Sequence, residues 1–416
     1  MAQGDATSSI EDLRWPSLGS AVRRIGPAFV LGAVALGPGS LVLSSMTGAL
    51  YGYQLLWLLV FSGVFMIVFM EIASRFGIVT DEPIWTIVEH KYGRTAAVVG
   101  GIFAVLTSLG YETGNVIAIG LGMEAIVGGS PLIWGTAGAV AAIALITLQD
   151  LYDKLEKLIF ALIFVMIVGF FGTLAITGFS PGDATSGLVP TFPDQQAVFL
   201  GMAMMATYFS LYAAIYQTYL VKEKGYTTDD IGQSIFDSAA GITLMGIMLI
   251  AIMIAGAVVL NPAGVIPESA VDMAVQLEPL VGTNASLLFG LGLFAAAFSS
   301  IVVNALIGST MFVDGLGYET GMDSKPVKLV AITLVVVAWL FAFVPSLLGE
   351  NPIDTLILAQ AVSIVGLPYF GAVILILSND RDVMGGFANT RIRNALALIG
   401  YLASLGIAIY YATSFL

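Results

Sequence analysis

Leu36-Gly37-Pro38-Gly39-Ser40 interrupts an apolar segment that runs from residue 25 to residue 50. The apolar stretches on its two sides are each too short to cross a bilayer, but together they are long enough. Two glycines and a proline unwind a helix and leave backbone amides and carbonyls without partners. In hydrocarbon, such backbone is tolerated only where it is buried in protein or lines a watery cavity. The stretch therefore predicts a substrate site near the middle of a membrane.

The composition is that of a polytopic membrane protein. Of the 416 residues, 58% are hydrophobic and 10% charged, and the mean hydropathy is +0.95. Without cysteine the chain has no disulfide framework and no thiolate metal site. Its net charge of −13, without a long basic run, argues against nucleic-acid binding. We find no enzyme motif, no cleaved signal peptide, no cofactor motif and no feature that indicates an obligate protein partner.

Apolar runs of roughly 20 residues predict an all-α protein rather than a barrel. Residues 1–25 form a predicted cytoplasmic N-terminal segment. The eleven predicted transmembrane helices lie near residues 26–50 (broken), 53–78, 94–126, 132–148, 155–178, 196–221, 235–260, 286–313, 327–348, 353–377 and 394–415.

The distribution of charge supports this count. If the N-terminus is cytoplasmic, all 15 Lys and Arg residues fall in inner segments, and the outer loops carry acids such as Asp183, Asp194 and Glu350. That asymmetry follows the positive-inside rule. We therefore predict a multi-pass protein of the plasma or inner membrane, with an extracytoplasmic C-terminus.

A second interruption lies in the predicted sixth helix. Gly201–Ser210 places small and polar residues in an apolar run, without proline. Paired interruptions at corresponding positions mark the site of an inverted-repeat transporter. We predict a first repeat over 26–178, an inverted second repeat over 196–377, and an appended eleventh helix over 394–416.

Polar side chains at membrane depth are candidates for the pathway. Glu112 lies in the third helix, where a lone carboxylate must face water, meet a cation or be protonated. It is therefore either a protonated structural acid or a group in an aqueous vestibule, with Asn115 on the same helix face. Gln360 and Ser363 in the tenth helix either line the pathway or bond across helices.

Several motifs resemble the natural-resistance-associated macrophage protein (Nramp) family of divalent-metal transporters. They are Gly26-Pro27-Ala28, Gly37-Pro38-Gly39-Ser40, Arg75-Phe76-Gly77-Ile78-Val79-Thr80, Lys154-Leu155-Glu156, Leu367-Pro368-Tyr369, and Met384-Gly385 with Phe387 and Asn389. The resemblance covers nearly the whole chain. It implies the LeuT-type fold, with the ion bound between broken first and sixth helices.

The departures from the family pattern concern the implied ion site. The family's first-helix motif is Asp-Pro-Gly-Asn, where this chain has Gly37 for the aspartate and Ser40 for the asparagine. Its sixth-helix Met-Pro-His aligns with Thr207, Tyr208 and Phe209. The resemblance implies metal ligands at Gly37, Ser40, Met204 and Thr207. It implies pathway roles for Glu112, Asn115, Tyr208, Phe209, Gln360 and Ser363.

These replacements change the predicted substrate. A thioether and a carboxylate suit a dehydrated Mn²⁺ or Fe²⁺, whereas neutral oxygens suit the water shell of Mg²⁺, which dehydrates reluctantly. The sequence predicts transport of hydrated divalent cations, chiefly Mg²⁺, with Mn²⁺ also possible, as in the Nramp-related magnesium transporters. It predicts no proton coupling. The alternatives are a proton-coupled Mn²⁺/Fe²⁺ transporter and an amino-acid transporter of the same fold.

Overall fold

The computed structural model describes residues 37–318, 320–321 and 324–414. Within these ranges, residues 149–158, 160, 407–408, 411–412 and 414 are described by their backbone alone. The predicted segment 1–25 and the first half of the broken first helix lie outside the described residues. So do the side chains of the Lys154-Leu155-Glu156 motif.

Each of the eleven predicted segments contains a helix, for the first segment in its second half. In the order of those segments the helices are α1 Pro38–Tyr51, α2 Leu56–Val79, α3 Arg94–Val127, α4 Pro131–Thr147, α5 Gln149–Thr177, α6a Gln195–Tyr208, α6b Leu211–Glu223, α7 Ile231–Ala255, α8 Ala285–Gly315, α9 Lys325–Leu347, α10a Pro352–Val362, α10b Leu367–Asn379 and α11 Arg391–Ser414. Short helices at Ile84–Tyr92, Pro181–Ser186, Asn261–Ala263, Ala270–Ala274, Glu278–Val281 and Arg381–Met384 connect them. The described ranges contain no strand.

Two irregularities were not predicted. The tenth helix passes through a 3₁₀ turn at Ser363–Gly366 between α10a and α10b, just before Pro368. The seventh helix continues from α7 into a π-helical turn at Gly256–Leu260, just before Asn261-Pro262. Both precede a proline, whose ring disturbs the regular hydrogen bonding of a helix.

Seven segments of the described chain are long and apolar enough to cross a membrane by length and composition. They are 56–79, 94–127, 195–223, 228–263, 270–315, 325–347 and 352–379. Large apolar side chains are exposed on the outside of the bundle, among them Ile133, Leu329 and Phe341. Such a surface suits contact with lipid.

Glycines bring helix backbones into contact at two seams. Between α3 and α8, a Cβ atom at Gly290 would lie 2.7 Å from the carbonyl oxygen of Gly122. Between α1 and the π turn after α7, a Cβ atom at Gly256 would lie 2.8 Å from the carbonyl oxygen of Ser45. Small residues of this kind let membrane helices approach closely.

Contacts between helix ends define a basic end and an acidic end of the bundle. At the basic end, Lys91 pairs with Asp380, and Lys222 donates to the carbonyl of Thr80. At the acidic end, the Tyr51 hydroxyl donates to Asp194 over 2.8 Å. The grouping of loops at each end matches the predicted inner and outer loops.

Glu71 and Arg75 form an ion pair one helical turn apart, at 3.0 Å between Oε1 and Nε. The buried Arg75 also donates to Asn389 Oδ1 over 2.6 Å and to the carbonyl of Phe387. Glu71 pairs in addition with Arg393 over 3.1 Å. This network fastens the basic end of α2 to the start of α11.

Candidate functional site

In the glycine-proline stretch the backbone is extended at Gly37 and helical from Pro38, where α1 begins. Gly37 is the N-cap, with φ −71° and ψ 156°, and Pro38 occupies the first helical position. Proline suits that position because its missing N–H has no helical partner there. The Ser40 hydroxyl donates to the Gly37 carbonyl over 2.9 Å. The predicted second half of the first helix therefore begins at Pro38, and the half before it lies outside the described residues.

The sixth helix is broken at Phe209 and Ser210, the last residues of the predicted stretch. Both have non-helical dihedral angles, and the Ser210 hydroxyl caps α6b by accepting from the Ala213 amide over 3.4 Å. From α3, the Tyr111 hydroxyl donates to the Ala206 carbonyl over 2.9 Å and lies 3.0 Å from Ser210 Oγ. These bonds satisfy backbone that the break would leave unpaired.

A cavity of about 420 Å³ runs from the two breaks to the basic end. Its deep part is lined by Gly37, Pro38, Gly39, Ser40, Met70, Tyr111, Asn115, Thr207, Ser210, Ser299, Ser300 and Gln360. Its remaining lining residues are Tyr212, Ala213, Tyr216, Gln217, Leu220, Lys224, Tyr226, Ser234, Asp237, Ser238, Gly241, Ile242, Val303, Asn304 and Ile307. The exposed Lys224 lies in the loop after α6b, so the cavity reaches the surface at the basic end.

Five of the ten predicted site residues line this cavity. They are Gly37, Ser40, Asn115, Thr207 and Gln360. The Thr207 hydroxyl donates to the Met204 carbonyl over 2.9 Å, just as Ser40 donates to Gly37. Each break therefore offers a hydroxyl oxygen beside a backbone carbonyl.

The other five predicted residues do not line the cavity. Met204 is completely buried. The Tyr208 hydroxyl points to α7, where it donates to the Ile242 carbonyl over 2.8 Å. Phe209 packs its ring against Phe69, with centroids 5.6 Å apart. The Ser363 hydroxyl donates to the Gln360 carbonyl over 2.5 Å.

Glu112, the fifth of these, is completely buried. Its Oε2 accepts from Asn115 Nδ2 over 3.4 Å, while its Oε1 has no hydrogen-bond partner. The predicted aqueous vestibule around Glu112 is therefore not part of this cavity. Asn115, which does line the cavity, contacts Glu112.

The deep part of the cavity offers neutral oxygen atoms and one sulfur. Hydroxyls, amides and backbone carbonyls surround the breaks, and Met70 adds a thioether. In the described part of the chain, no three His, Cys, Asp or Glu side chains cluster as metal ligands. Such a donor set is weak for a bare divalent ion and fits the waters around a hydrated one.

The residues that line the route to the basic end were not predicted. On α7, Ser234, Asp237, Ser238 and Gly241 recur at helical spacing on one face. That pattern was readable in the sequence as a polar stripe in the first turns of the seventh helix. Gln217 on α6b belongs to the same route.

At the acidic end, α1 is tied to its neighbours. Besides the bond from Tyr51 to Asp194, Asn261 Nδ2 donates to the Ala49 carbonyl over 2.8 Å. Gln276 Nε2 donates to Ser45 Oγ over 2.9 Å. The pKa of Asp194 lies below its usual value because it accepts the Ala197 amide and the Tyr51 hydroxyl. These bonds close the bundle on the side away from the cavity mouth.

Comparison with known proteins gives matches along almost the entire chain. The family model "Natural resistance-associated macrophage protein-like" matches residues 28–414. The chain is 27% identical over 373 residues to the "Divalent metal cation transporter MntH" of Klebsiella pneumoniae subsp. pneumoniae, covering 88% of each chain. It is 24% identical over 401 residues to MntH of Yersinia pestis, covering 94% of this chain and 95% of that protein.

Solved structures show the same fold. The Eremococcus coleocola manganese transporter, crystallised with an aromatic bis-isothiourea substituted compound, matches with a TM-score of 0.81 at 16% identity. The match covers 98% of this chain and 91% of that one. MhsT in complex with L-phenylalanine matches with a TM-score of 0.58 at 18% identity, covering 95% and 99%. The predicted all-helical LeuT-type fold is confirmed.

Proposed function

Because the chain belongs to the natural resistance-associated macrophage protein-like family, we propose that it transports divalent metal cations across a membrane. The relatives named as divalent metal cation transporters support this activity. So does the cavity that joins two broken helices to one end of the bundle. The proposed mechanism is alternating access by a chain of two inverted repeats, 26–178 and 196–377.

The proposed substrate is hydrated Mg²⁺. The observation that carries this proposal is the donor set at the breaks, where Gly37, Ser40 and Thr207 supply backbone and hydroxyl oxygens and no carboxylate. Six waters of about 30 Å³ each occupy about 180 Å³, and Mg²⁺ prefers six octahedral ligands. A cavity of about 420 Å³ has room for this hydrated ion.

We propose that transport proceeds without proton coupling. Coupling requires a titratable group that responds to the ion at its site. Among the described lining residues the one carboxylate is Asp237, which lies on α7 towards the basic end. Glu112 is buried outside the lining.

The proposed orientation places the basic end in the cytoplasm of a cell or inner membrane. Arg75, Lys91 and Lys222 lie at that end, as the positive-inside rule requires of cytoplasmic loops. In this orientation the N-terminus is cytoplasmic, and the cavity in the present structure opens inward.

Flux through proteoliposomes tests the proposal. Purified protein is reconstituted into liposomes that enclose a Mg²⁺-sensitive dye, a Mn²⁺-quenched dye or a pH dye. Protein-free liposomes with the same dye are the control. We expect Mg²⁺ entry without acidification of the lumen. Saturable Mn²⁺ entry with no Mg²⁺ flux would overturn the proposed substrate, and metal-dependent acidification would overturn uncoupled transport.

A proton-coupled Mn²⁺/Fe²⁺ transporter is the second candidate. It is favoured by the likeness to MntH proteins and to the Eremococcus coleocola manganese transporter. The Met70 thioether in the lining is also a ligand that softer ions accept. This candidate predicts that Mg²⁺ inhibits Mn²⁺ flux without entering. The amino-acid alternative predicts instead that amino acids compete with the cation for binding.

A further inference from the structure

One face of α7 lines the cavity near the basic end. Ser234, Asp237, Ser238 and Gly241 follow one another at spacings of three, one and three residues, so they share one side of the helix. Gln217 on α6b lines the same space, and its Nε2 donates to Ser238 Oγ over 3.2 Å and to Ser74 Oγ over 2.9 Å. Two helices therefore present polar groups to one section of the cavity.

The hydroxyl of Ser234, in this section of the cavity, lacks a hydrogen-bond partner. It is 2% exposed, it lines the cavity, and its Oγ has no hydrogen-bond partner. Buried hydroxyls almost always have a partner in the protein or in ordered water. A ligand in this section of the cavity, or the water around one, would supply the missing partner of this buried hydroxyl.

Asp237 adds a negative charge to the same face. Its Oδ1 accepts from Gln233 Nε2 over 2.6 Å. The amide nitrogen of Gln217 already serves two hydroxyls, so its carbonyl oxygen is its remaining ligand atom. A carboxylate, a hydroxyl and an amide oxygen are hard donors that can accept hydrogen bonds from the water shell of Mg²⁺.

We propose that Asp237, Ser234 and Gln217 form a second cation-binding station, separate from the site at the two breaks. It would hold a hydrated divalent cation between the breaks and the basic end. This inference rests on the proposed function, because the ion is the proposed substrate. The deep site is neutral, so the negative station provides a favourable next position along the route.

Lys224 keeps such a station weak. It lines the cavity where the chain leaves α6b, and its Nζ lies 5.8 Å from the centroid of the Tyr226 ring. Its positive charge partly offsets that of Asp237. A station on a transport route must bind weakly enough for the ion to leave.

Thiol labelling in the full-length protein tests the station. The chain has no cysteine, so Leu220→Cys on α6b, which lines the same section, is a single reporter. Its labelling rate with a neutral maleimide is measured in proteoliposomes over a series of Mg²⁺ concentrations. We expect Mg²⁺ to slow labelling, and Asp237→Asn to raise the half-protecting concentration by about tenfold, because one charge near a divalent ion is lost.

Two further variants make the result decisive. Glu223→Gln removes an exposed acid that does not line the cavity and should leave protection unchanged. Ser234→Ala keeps the charge and should raise the half-protecting concentration less than Asp237→Asn does. It also serves as the test if Asp237→Asn does not fold.

The outcomes separate this station from the proposed transport. Protection that depends on Asp237, in protein that shows no Mg²⁺ flux, would support the station and overturn the transport proposal. Mg²⁺ flux together with equal protection in the parent and both station variants would overturn the station alone.

Discussion

The side chain of Gln360 lies directly against Gly39. A Cβ atom at Gly39 would lie 2.6 Å from Gln360 Nε2 and 2.7 Å from its Cγ, well inside van der Waals contact. On the opposite side, a Cβ atom at Gly114 would lie 3.3 Å from Gln360 Cδ. The amide of α10a is therefore enclosed between glycines of α1 and α3, beside the cavity that it lines.

Gly39→Ala should displace Gln360 and lower cation flux. Overpacking of this kind costs about 1–3 kcal/mol of stability, or the amide moves and its lining position is lost. The measurement is Mg²⁺ flux together with thermal unfolding in detergent. Gly37→Ala is the matched control, because a Cβ at Gly37 meets no atom of the described residues within 4 Å. Wild-type flux and stability in Gly39→Ala would show that Gln360 has no fixed role.

Gly37→Asp should shift selectivity from Mg²⁺ to Mn²⁺. With respect to the described residues the position has space for a side chain, and it has an ordinary negative φ and the N-cap location that aspartate favours. A carboxylate beside the carbonyls of the break supplies a direct ligand for a less hydrated ion. Competition between the two ions for flux measures the shift, which should exceed about tenfold, or about 1.4 kcal/mol.

Gly37→Asn is the control for that experiment, since it has nearly the same shape without the charge. Equal selectivity in Gly37→Asp and the parent would mean that the ion does not approach this residue.

Glu112→Gln should leave Mg²⁺ flux unchanged. The carboxyl group contacts Asn115 and does not line the cavity, and glutamine keeps its volume without the ability to ionise. Flux and lumenal pH are measured together in proteoliposomes at several external pH values. Asn115→Ala, which alters a lining residue, is the informative comparison and should reduce flux. Loss of flux in Glu112→Gln would identify this acid as the group that couples protons to transport.

Asp194→Ala should destabilise the protein at neutral pH and less so in acid. Asp194 caps α6a through the Ala197 amide, and its pKa is held below the ordinary 3.8. A carboxylate with a lowered folded-state pKa stabilises fully above its ordinary value. That stabilisation disappears as the pH falls through the lowered value. The difference in thermal unfolding between parent and variant should therefore begin to shrink as the pH falls below about 3.8 and disappear below the lowered pKa of Asp194.

The exposed Glu350 provides the control for the pH series. Glu350→Ala removes one acid at the same end of the bundle without removing a cap. A constant difference between Asp194→Ala and the parent across pH would exclude the charge of Asp194 as the cause.

The sequence predicted the helices well because the hydropathy of a short stretch of chain is enough to identify a membrane-spanning helix. Hydropathy alone located a helix in each of the eleven segments, and glycine with proline located the start of α1 at Gly37 and Pro38. The break at Phe209 and Ser210 lay at the edge of the predicted stretch, because neither proline nor glycine marks it. Its local signal is Ser210, a good N-cap. Membership in a family of transporters confirms that the chain is not an enzyme.

The site was predicted less completely because it depends on rotation about helix axes. An alignment error of one residue turns a side chain by about 100°. This explains why Thr207 lines the cavity whereas Tyr208 and Phe209 point to α7 and α2. Contacts such as Arg75 to Asn389, which are 314 residues apart, leave no local pattern to read.

The close seam between α1 and α7 has a mechanical consequence. Backbone meets backbone at Gly48 and Gly256, with no side chains between them to accommodate sliding. We expect the two helices to turn together as one lever, and spin labels on them that separated during turnover would contradict this. We expect the axis of that rotation to lie near Gly37, at the start of α1, where atoms would then be displaced least. The ligands of the ion would then lie near the rotation axis. They would keep their arrangement while the cavity closes at one end of the bundle and opens at the other.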